Sequence, residues 1–393
     1  MIRLFTCLGA VICFLITGLD PVAADTEAFK KEIWQQASQK GISRQVFDRS
    51  LQDFQPDPKV IRHTQKQSEF VRPVWSYLDD ALAQSRLQRG RRLAAEWHKT
   101  LVSIEKRYGI PRSAVLGIWG MESNFGSYTG KIPTINALAT LAYKRYRGDF
   151  FTSQLIEALL MVEKDRLEPA MMVGSWAGAM GQVQFMPSSY RKYAVDYDKD
   201  GIKNIWSSIP DALASAANYL KQHQWNSQLP WGFEVFTPEG FDFRYEQLSF
   251  QDWYKHGIRK MDGREMPKKG MARIFAPAGR SGPVFLLTEN FDVIKEYNSS
   301  DSYALAVLLL GDALTGQIPV ATEWPRTERQ LDHKERMELQ KKLQILRLYQ
   351  DKIDGRYGSK TRAAVRQFQL QKGLVADGYP SYAILEALRK VKN

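Results

Sequence analysis

Ala114-Val115-Leu116-Gly117-Ile118-Trp119-Gly120-Met121-Glu122-Ser123-Asn124-Phe125-Gly126 is the stretch from which the fold is read. Val115, Ile118, Trp119 and Met121 wrap an apolar helix, and Gly126 is placed to end it. One acid, Glu122, sits just before that end. Apolar surroundings disfavour the charged form of a carboxyl group, so its pKa is expected to rise. An acid still protonated near neutral pH can donate the proton that cleavage of a glycosidic bond requires. The plain alternative is a charge on the exposed face of a helix, and this window alone leaves the two level.

A second stretch tips the balance: Gly174-Ser175-Trp176-Ala177-Gly178-Ala179-Met180-Gly181-Gln182-Val183-Gln184-Phe185-Met186-Pro187-Ser188-Ser189-Tyr190. Its small residues let the backbone approach a ligand or another helix closely. Tight helix packing before a turn at Pro187 explains the small residues but not Gln182 and Gln184 among them. A groove floor is therefore favoured, with the Gln184 amide offering donors and an acceptor.

Outward from these motifs, Phe29 to about Leu220 has helical periodicity, as at Phe29, Ile33, Trp34 and Ala37 or Leu101, Ile104 and Tyr108. From Trp231 to Tyr297 the texture changes. Phe233–Phe236, Phe241–Phe243, Ala272–Phe275 and Pro283–Thr288 are short runs between Gly and Pro, which predicts strands of a small inserted sheet at 231–297. Helix returns at Ser302–Leu314. A charged, Pro-containing segment at 319–336 reads as a linker, and 337–393 is enough for one small helical module.

The 393 residues, 44% hydrophobic and 25% charged, suit two or three globular domains and exclude a disordered or many-pass membrane chain. With 55 Lys+Arg against 43 Asp+Glu the net charge is +12, which favours an anionic partner. Arg3, the apolar run Leu4–Leu19 and Val22-Ala23-Ala24 before Asp25 form a secretory leader, 1–24. The run is about 16 residues, short for a membrane span of ~20. Cys7 and Cys13 lie inside the leader without a lipoprotein pattern, so the exported chain has no thiol. These features predict a periplasmic protein, not a lipoprotein, that meets cell wall rather than nucleic acid.

Glu122-Ser123-Asn124-Phe125-Gly126 and Ala177–Ser189, in that order, resemble the B-type lytic murein transglycosylases. A third match is Glu296-Tyr297-Asn298-Ser299-Ser300-Asp301-Ser302-Tyr303-Ala304, and the resemblance covers about 29–318. At Gln182-Val183 the chain departs from members that carry an aromatic and Gly. The resemblance implies a mainly α, lysozyme-like catalytic domain at 25–318 that cuts peptidoglycan glycan strands. Glu122 would be the catalytic acid and base, with Ser175, Gln184, Tyr297, Asn298 and Tyr303 as substrate-binding residues. Ordinary glycosidases use two carboxylates, yet none accompanies Glu122 in its motif, and Asp149, Glu157, Glu163 and Asp165 read as surface charges. One carboxyl suffices if the muramic acid's own C6 hydroxyl attacks C1, giving a 1,6-anhydro sugar without water and without a cofactor.

Asp196-Tyr197-Asp198-Lys199-Asp200-Gly201-Ile202 carries the opening of a calcium loop. Oxygens of Asp196, Asp198, Asp200 and the Ile202 carbonyl could hold a structural Ca²⁺. Ser207 replaces the usual closing Glu, and the resemblance implies closure by Asp211. An Asp-rich, helix-capping turn is the alternative reading of the same residues. The tail, with Ile353-Asp354-Gly355-Arg356-Tyr357-Gly358 and Val375-Ala376-Asp377-Gly378, resembles a three-helix peptidoglycan-binding module. On a flexible linker it would raise the effective substrate concentration. Two other functions remain open at this point: a muramidase that hydrolyses the same bond, and a non-catalytic peptidoglycan-binding scaffold. Other cell-wall enzymes are further candidate partners.

Overall fold

The computed structural model describes residues 21–65, 72–317 and 320–391. The expected leader lies outside them except for its last four residues, which open the first helix, Pro21–Gln39. Among the described residues there are seventeen α-helices and two small antiparallel sheets.

The body is built around two buried helices, Arg112–Ser123 and Asp301–Leu314. Each is apolar on all sides, which suits only a helix covered all round. Ser300 starts the second one, its Oγ accepting from the Tyr303 N–H. The two helices touch backbone to backbone. A Cβ on Gly117 would stand 2.0 Å from the Val307 carbonyl oxygen, and one on Gly311 would stand 2.1 Å from that of Ser113. Residue numbers rise along one helix as they fall along the other, so the pair is antiparallel. Glu122 therefore arrives beside Tyr303. The helices Thr134–Tyr143 and Phe150–Lys164 close the same core from outside, through Leu138, Leu155 and Leu159.

The inserted sheet has five strands in the order Gln247–Ser249, Met271–Phe275, Val284–Leu287, Gly232–Phe236, Arg259–Lys260. Its own core holds Val235, Phe250, Trp253, Ile274 and Leu286. Three predicted runs are strands, but Phe241–Phe243 is not. There Gly240 takes a φ of 71° and Asp242 Oδ1 accepts from the Arg244 N–H, which turns the chain before a ladder can form. Phe241 and Phe243 instead plug the sheet's core beside Trp253. The sheet also ends earlier than predicted. Glu289–Tyr297 is a helix whose Phe291 and Ile294 are buried in the helical body.

The tail has its three helices, His333–Ile345, Ser359–Gln371 and Tyr382–Arg389, around Leu339, Val365, Phe368 and Leu385. The first begins inside the predicted linker, because Asp332 and Glu335 form a reciprocal capping box. Two glutamines staple the two Asp-Gly turns in the same way. Gln340 Oε1 accepts from the Gly355 N–H at 2.8 Å, and Gln369 Oε1 accepts from Gly378 at 2.8 Å.

The tail does not hang on a free tether. Arg362 donates to the Ala276 and Pro277 carbonyls at 3.3 and 3.1 Å, and Arg366 donates to Phe243 O at 3.1 Å. The connecting segment is also held. Arg326 makes a two-pronged pair with Asp79 at 2.7 and 2.9 Å, and both Glu234 oxygens accept backbone N–H groups, from Ala321 and Thr322. Composition suggested a linker, but these contacts fold it onto the body.

Candidate active site

The helix that carries Glu122 ends in an unusual way. Asn124, Phe125 and Gly126 all have positive φ, 48°, 57° and 78°. For Asn and Phe this conformation is costly, so neighbours must hold it. Arg89 does so, donating from Nε to Asn124 O and from Nη2 to Phe125 O, both at 3.2 Å. Ser123 Oγ adds a third tie, donating to Gln182 O at 2.6 Å and accepting from the Gly126 N–H at 2.8 Å. The Phe125 ring is buried edge-on against Trp119. Glu122 is thus presented from a fixed platform.

Burial raises the Glu122 pKa to about 7, and the hydrogen bond donated by the Tyr303 hydroxyl to Oε1 partly opposes that rise. Both observations fit a carboxyl group that changes protonation near neutrality. Tyr297, at the end of its helix, donates from its hydroxyl to Val183 O at 2.9 Å. Its own ionisation is pushed far up by burial and then by the Glu122 charge. Tyr77, on the helix Val74–Ala81, feels the same charge. The helical spacing of Val74, Tyr77, Leu78 and Leu82 marks Tyr77 only as one more core aromatic, and no motif around it points to the site. Arg89 was equally hidden in the basic run Arg86–Arg92.

Ser175 and Gln184 belong to the second motif, which the Gln184 side chain ties to Thr129, in the segment after the Glu122 turn. Ser175 Oγ accepts from the Ala177 and Ala179 N–H groups at 3.3 and 3.1 Å, which leaves its own proton to donate. Gln184 does not lie on a helix: it has a φ of 49° in a tight turn, and the next helix starts at Pro187. Its Nε2 donates to Thr129 O at 3.1 Å and Gly181 O at 2.8 Å, leaving Oε1 as the acceptor. Gln182 is not part of the groove floor. It is buried, with Oε1 accepting from Trp119 Nε1 and Nε2 donating to Trp206 O. Val183 is buried too, so the departure at Gln182-Val183 falls in the core. Asn298 is exposed at the end of the Tyr297 helix, its Oδ1 accepting from the Ser300 N–H at 3.1 Å.

No other carboxylate contributes to the Glu122 shift. Glu157 pairs with Arg191, Glu163 accepts from Ser43, and Asp165 faces Arg191 and Lys203. A cavity of about 1170 Å³ lined by Trp231 and Asp312 opens at the far end of the helix pair, away from Glu122.

In the acidic loop the carboxylate oxygens of Asp196, Asp198 and Asp211 lie within 4.8 Å of one another. Asp211 is buried and organises the loop, accepting from the backbone of Tyr197, Asp198 and Asn204. Asp200 is outside the cluster, and its Oδ1 accepts from the Ile202 N–H at 2.8 Å. The Ile202 carbonyl accepts from Asn204 N–H. The three-carboxylate oxygen set fits a hard cation such as Ca²⁺.

Comparison with known proteins places this geometry. Residues 25–312 match the family described as Transglycosylase SLT domain, and 332–388 match a peptidoglycan binding domain family. The chain is 31% identical over 305 residues to the membrane-bound lytic murein transglycosylase B of Escherichia coli strain K12, covering 71% of this chain and 82% of that one. It is 42% identical to SltB3 of Pseudomonas aeruginosa, solved in complex with NAG-anhNAM-pentapeptide, with a TM-score of 0.86 over 93% of this chain and 99% of that one. Slt35 of Escherichia coli, solved in complex with calcium, is 29% identical over 74% of this chain and 92% of that one, with a TM-score of 0.61. Two matched families, both lobes of the fold and an unaccompanied buried carboxyl agree: the chain belongs to the transglycosylase SLT family, as a B-type lytic murein transglycosylase with a C-terminal peptidoglycan-binding domain.

Proposed function

We propose that Glu122 cleaves the β-1,4 bond between N-acetylmuramic acid and N-acetylglucosamine without water, acting as acid and then as base. Protonated Glu122 gives its proton to the glycosidic oxygen, and the bond to C1 breaks. The carboxylate so formed takes the proton of the muramic acid's C6 hydroxyl, whose oxygen closes on C1. Glu122 ends protonated, and the product is a 1,6-anhydromuramic acid end. A single buried carboxyl with a pKa near 7 carries this reading, since both half-steps need that group poised between its two forms. We assign the Ser175 hydroxyl, the Gln184 Oε1 and the Asn298 amide to holding the sugars, with Tyr297 and Tyr303 shaping the pocket. The test is mass analysis of purified peptidoglycan after digestion. Products one water lighter than hydrolytic ones support the proposal, and hydrated reducing ends overturn it.

Tyr303→Phe removes the hydrogen bond that favours the charged form, so the Glu122 pKa should climb above its present value of about 7. The limb of the kcat/KM profile on which activity falls with rising pH should move to higher pH. A limb that stays in place would detach Tyr303 from the proton transfer.

Peptidoglycan glycan strands are the partner, and we infer that the tail binds the wall while 1–24 directs export to the periplasm. No helix among the described residues is long and apolar enough to cross a membrane. Truncation at Gln330 should weaken pull-down by insoluble sacculi while short soluble glycans are still cut. It should also lower the melting temperature, because the carbonyls of Phe243, Ala276 and Pro277 lose their arginine donors. Equal sacculus binding by the truncated chain would remove the tail from wall recognition.

Calcium, seen in the Slt35 structure, is proposed here as a structural ion on Asp196, Asp198 and Asp211 with no part in proton transfer. It should raise the melting temperature once its concentration passes the dissociation constant, ~10⁻⁴–10⁻³ M for so few ligands. Magnesium should do less. Melting curves insensitive to both calcium and chelator would leave only a capped turn.

A further inference from the structure

Ser127–Gly130 runs from the Glu122 turn to the backbone of Gly174 and Ser175, and the segment is fixed along its length. The Tyr128 N–H donates to Ser123 O at 2.9 Å. Thr129 O accepts from Gln184 Nε2 at 3.1 Å. Gly130 lies so close to the facing strand that a Cβ would stand 2.0 Å from Gly174 O and 2.6 Å from Ser175 N. The segment therefore links the turn after Glu122 to both Gln184 and the backbone of Ser175.

From its middle, Tyr128 leaves its side chain 74% exposed, the highest value among the exposed large hydrophobic residues described. Phe236 is also exposed, on the inserted sheet, while three other exposed rings have a ring or cation partner. Tyr254 lies under the Arg259 guanidinium at 3.6 Å, Phe150 meets Phe151 at 5.0 Å, and Tyr245 meets His256 at 4.4 Å. Among the described residues Tyr128 has no such ring or cation partner and no side-chain hydrogen bond, so the ring adds little to the fold. A flat apolar surface held on a rigid backbone gains free energy only when something flat and partly apolar covers it. The C–H face of a pyranose is such a surface.

We propose that Tyr128 is a saccharide-stacking platform, a subsite for one pyranose ring of the glycan strand next to the bond that Glu122 addresses. This rests on the reading of Glu122 given above. The subsite recognises the glycan itself rather than the stem peptide, because its contact is a ring face with no charge.

The test uses the full-length protein and glycan oligosaccharides stripped of stem peptides. Tyr128→Ala should raise KM roughly tenfold, the scale expected when most of a ring's contact area is lost, with a smaller change in kcat. Tyr128→Phe, which keeps the ring, should recover most of that affinity. Neither change should move the melting temperature. Binding of the same oligosaccharides to Glu122→Gln and to the Glu122→Gln/Tyr128→Ala double variant should differ by the same factor. Because this second arm needs no turnover, it separates failure of the platform from failure of the catalytic assignment. Affinities within about twofold in both arms would overturn the proposal. So would a loss in Tyr128→Phe as large as in Tyr128→Ala, or a loss confined to strands that still carry peptides.

Discussion

Glu122→Gln should give a folded protein that still sediments with sacculi and releases no anhydro-muropeptide. The amide nearly matches the carboxyl in size and can still accept from the Tyr303 hydroxyl, so the helix end and its left-handed turn keep their contacts. It can neither give the proton to the leaving oxygen nor take one from the C6 hydroxyl. Loss of one acid–base group typically costs ~10²–10⁴-fold. Here one group serves both half-steps, so the upper end of that range is expected. Release of muropeptides from sacculi, timed against the unaltered protein, measures it. Turnover within tenfold of the parent would place the chemistry elsewhere.

Gly117→Ala should do the greatest damage to the fold. The added methyl would sit 2.0 Å from the Val307 carbonyl oxygen and 2.9 Å from its carbon. Both atoms belong to the backbone of a buried helix and have nowhere to rotate. The helices must part, and Gly311 against Ser113 O resists that parting one turn further along. Overpacking of this kind costs about 3 kcal/mol or more where no side chain can yield. The same separation would draw Tyr303 from Glu122, so residual folded protein should also be slow. Thermal melting and activity per folded molecule report the two effects. A melting temperature within a degree of the parent would show that the helix contact is looser than described.

Much of this arrangement is written locally. The Arg112–Ser123 helix and its lone acid can be read because the apolar run and the acid are adjacent in sequence, but its left-handed cap is Asn124, two residues before the expected Gly126. The helix Asp301–Leu314 and the first and third tail helices are legible because each has a side-chain cap before a periodic buried face, whereas Ser359–Gln371 starts after Gly358 without one and is read from its buried face alone. What the sequence hides is direction and partnership. Gln182 and Gln184 are both amides two positions apart, and only the turn at Gln184 decides that one pins the core while the other faces the groove. Tyr77 and Arg89 reach the site through tertiary packing, which no window around them encodes. Asp200 belongs to the motif by spacing, yet its carboxylate caps its own turn. The connecting segment has a linker's composition, and its Arg326 and the buried Glu234 hold it down through partners far away in sequence.

The protonation of Glu122 also bears on how such a chain can be improved by selection. Its pKa rises from the ordinary 4.5 to about 7 on folding, so the folded chain holds that proton more tightly than the unfolded one. The group imposes no penalty below pH 4.5, stability is lost as pH rises through 7, and above that the full cost is on the order of 3 kcal/mol. A library screened at alkaline pH for thermal survival alone would therefore enrich replacements of Glu122, each sturdier and each inactive. The same library screened near pH 4 would show no such enrichment. Breeding a hardier form of this enzyme thus calls for a screen that reads catalysis alongside heat resistance, or one run in acid, where active and inactive clones compete on equal terms.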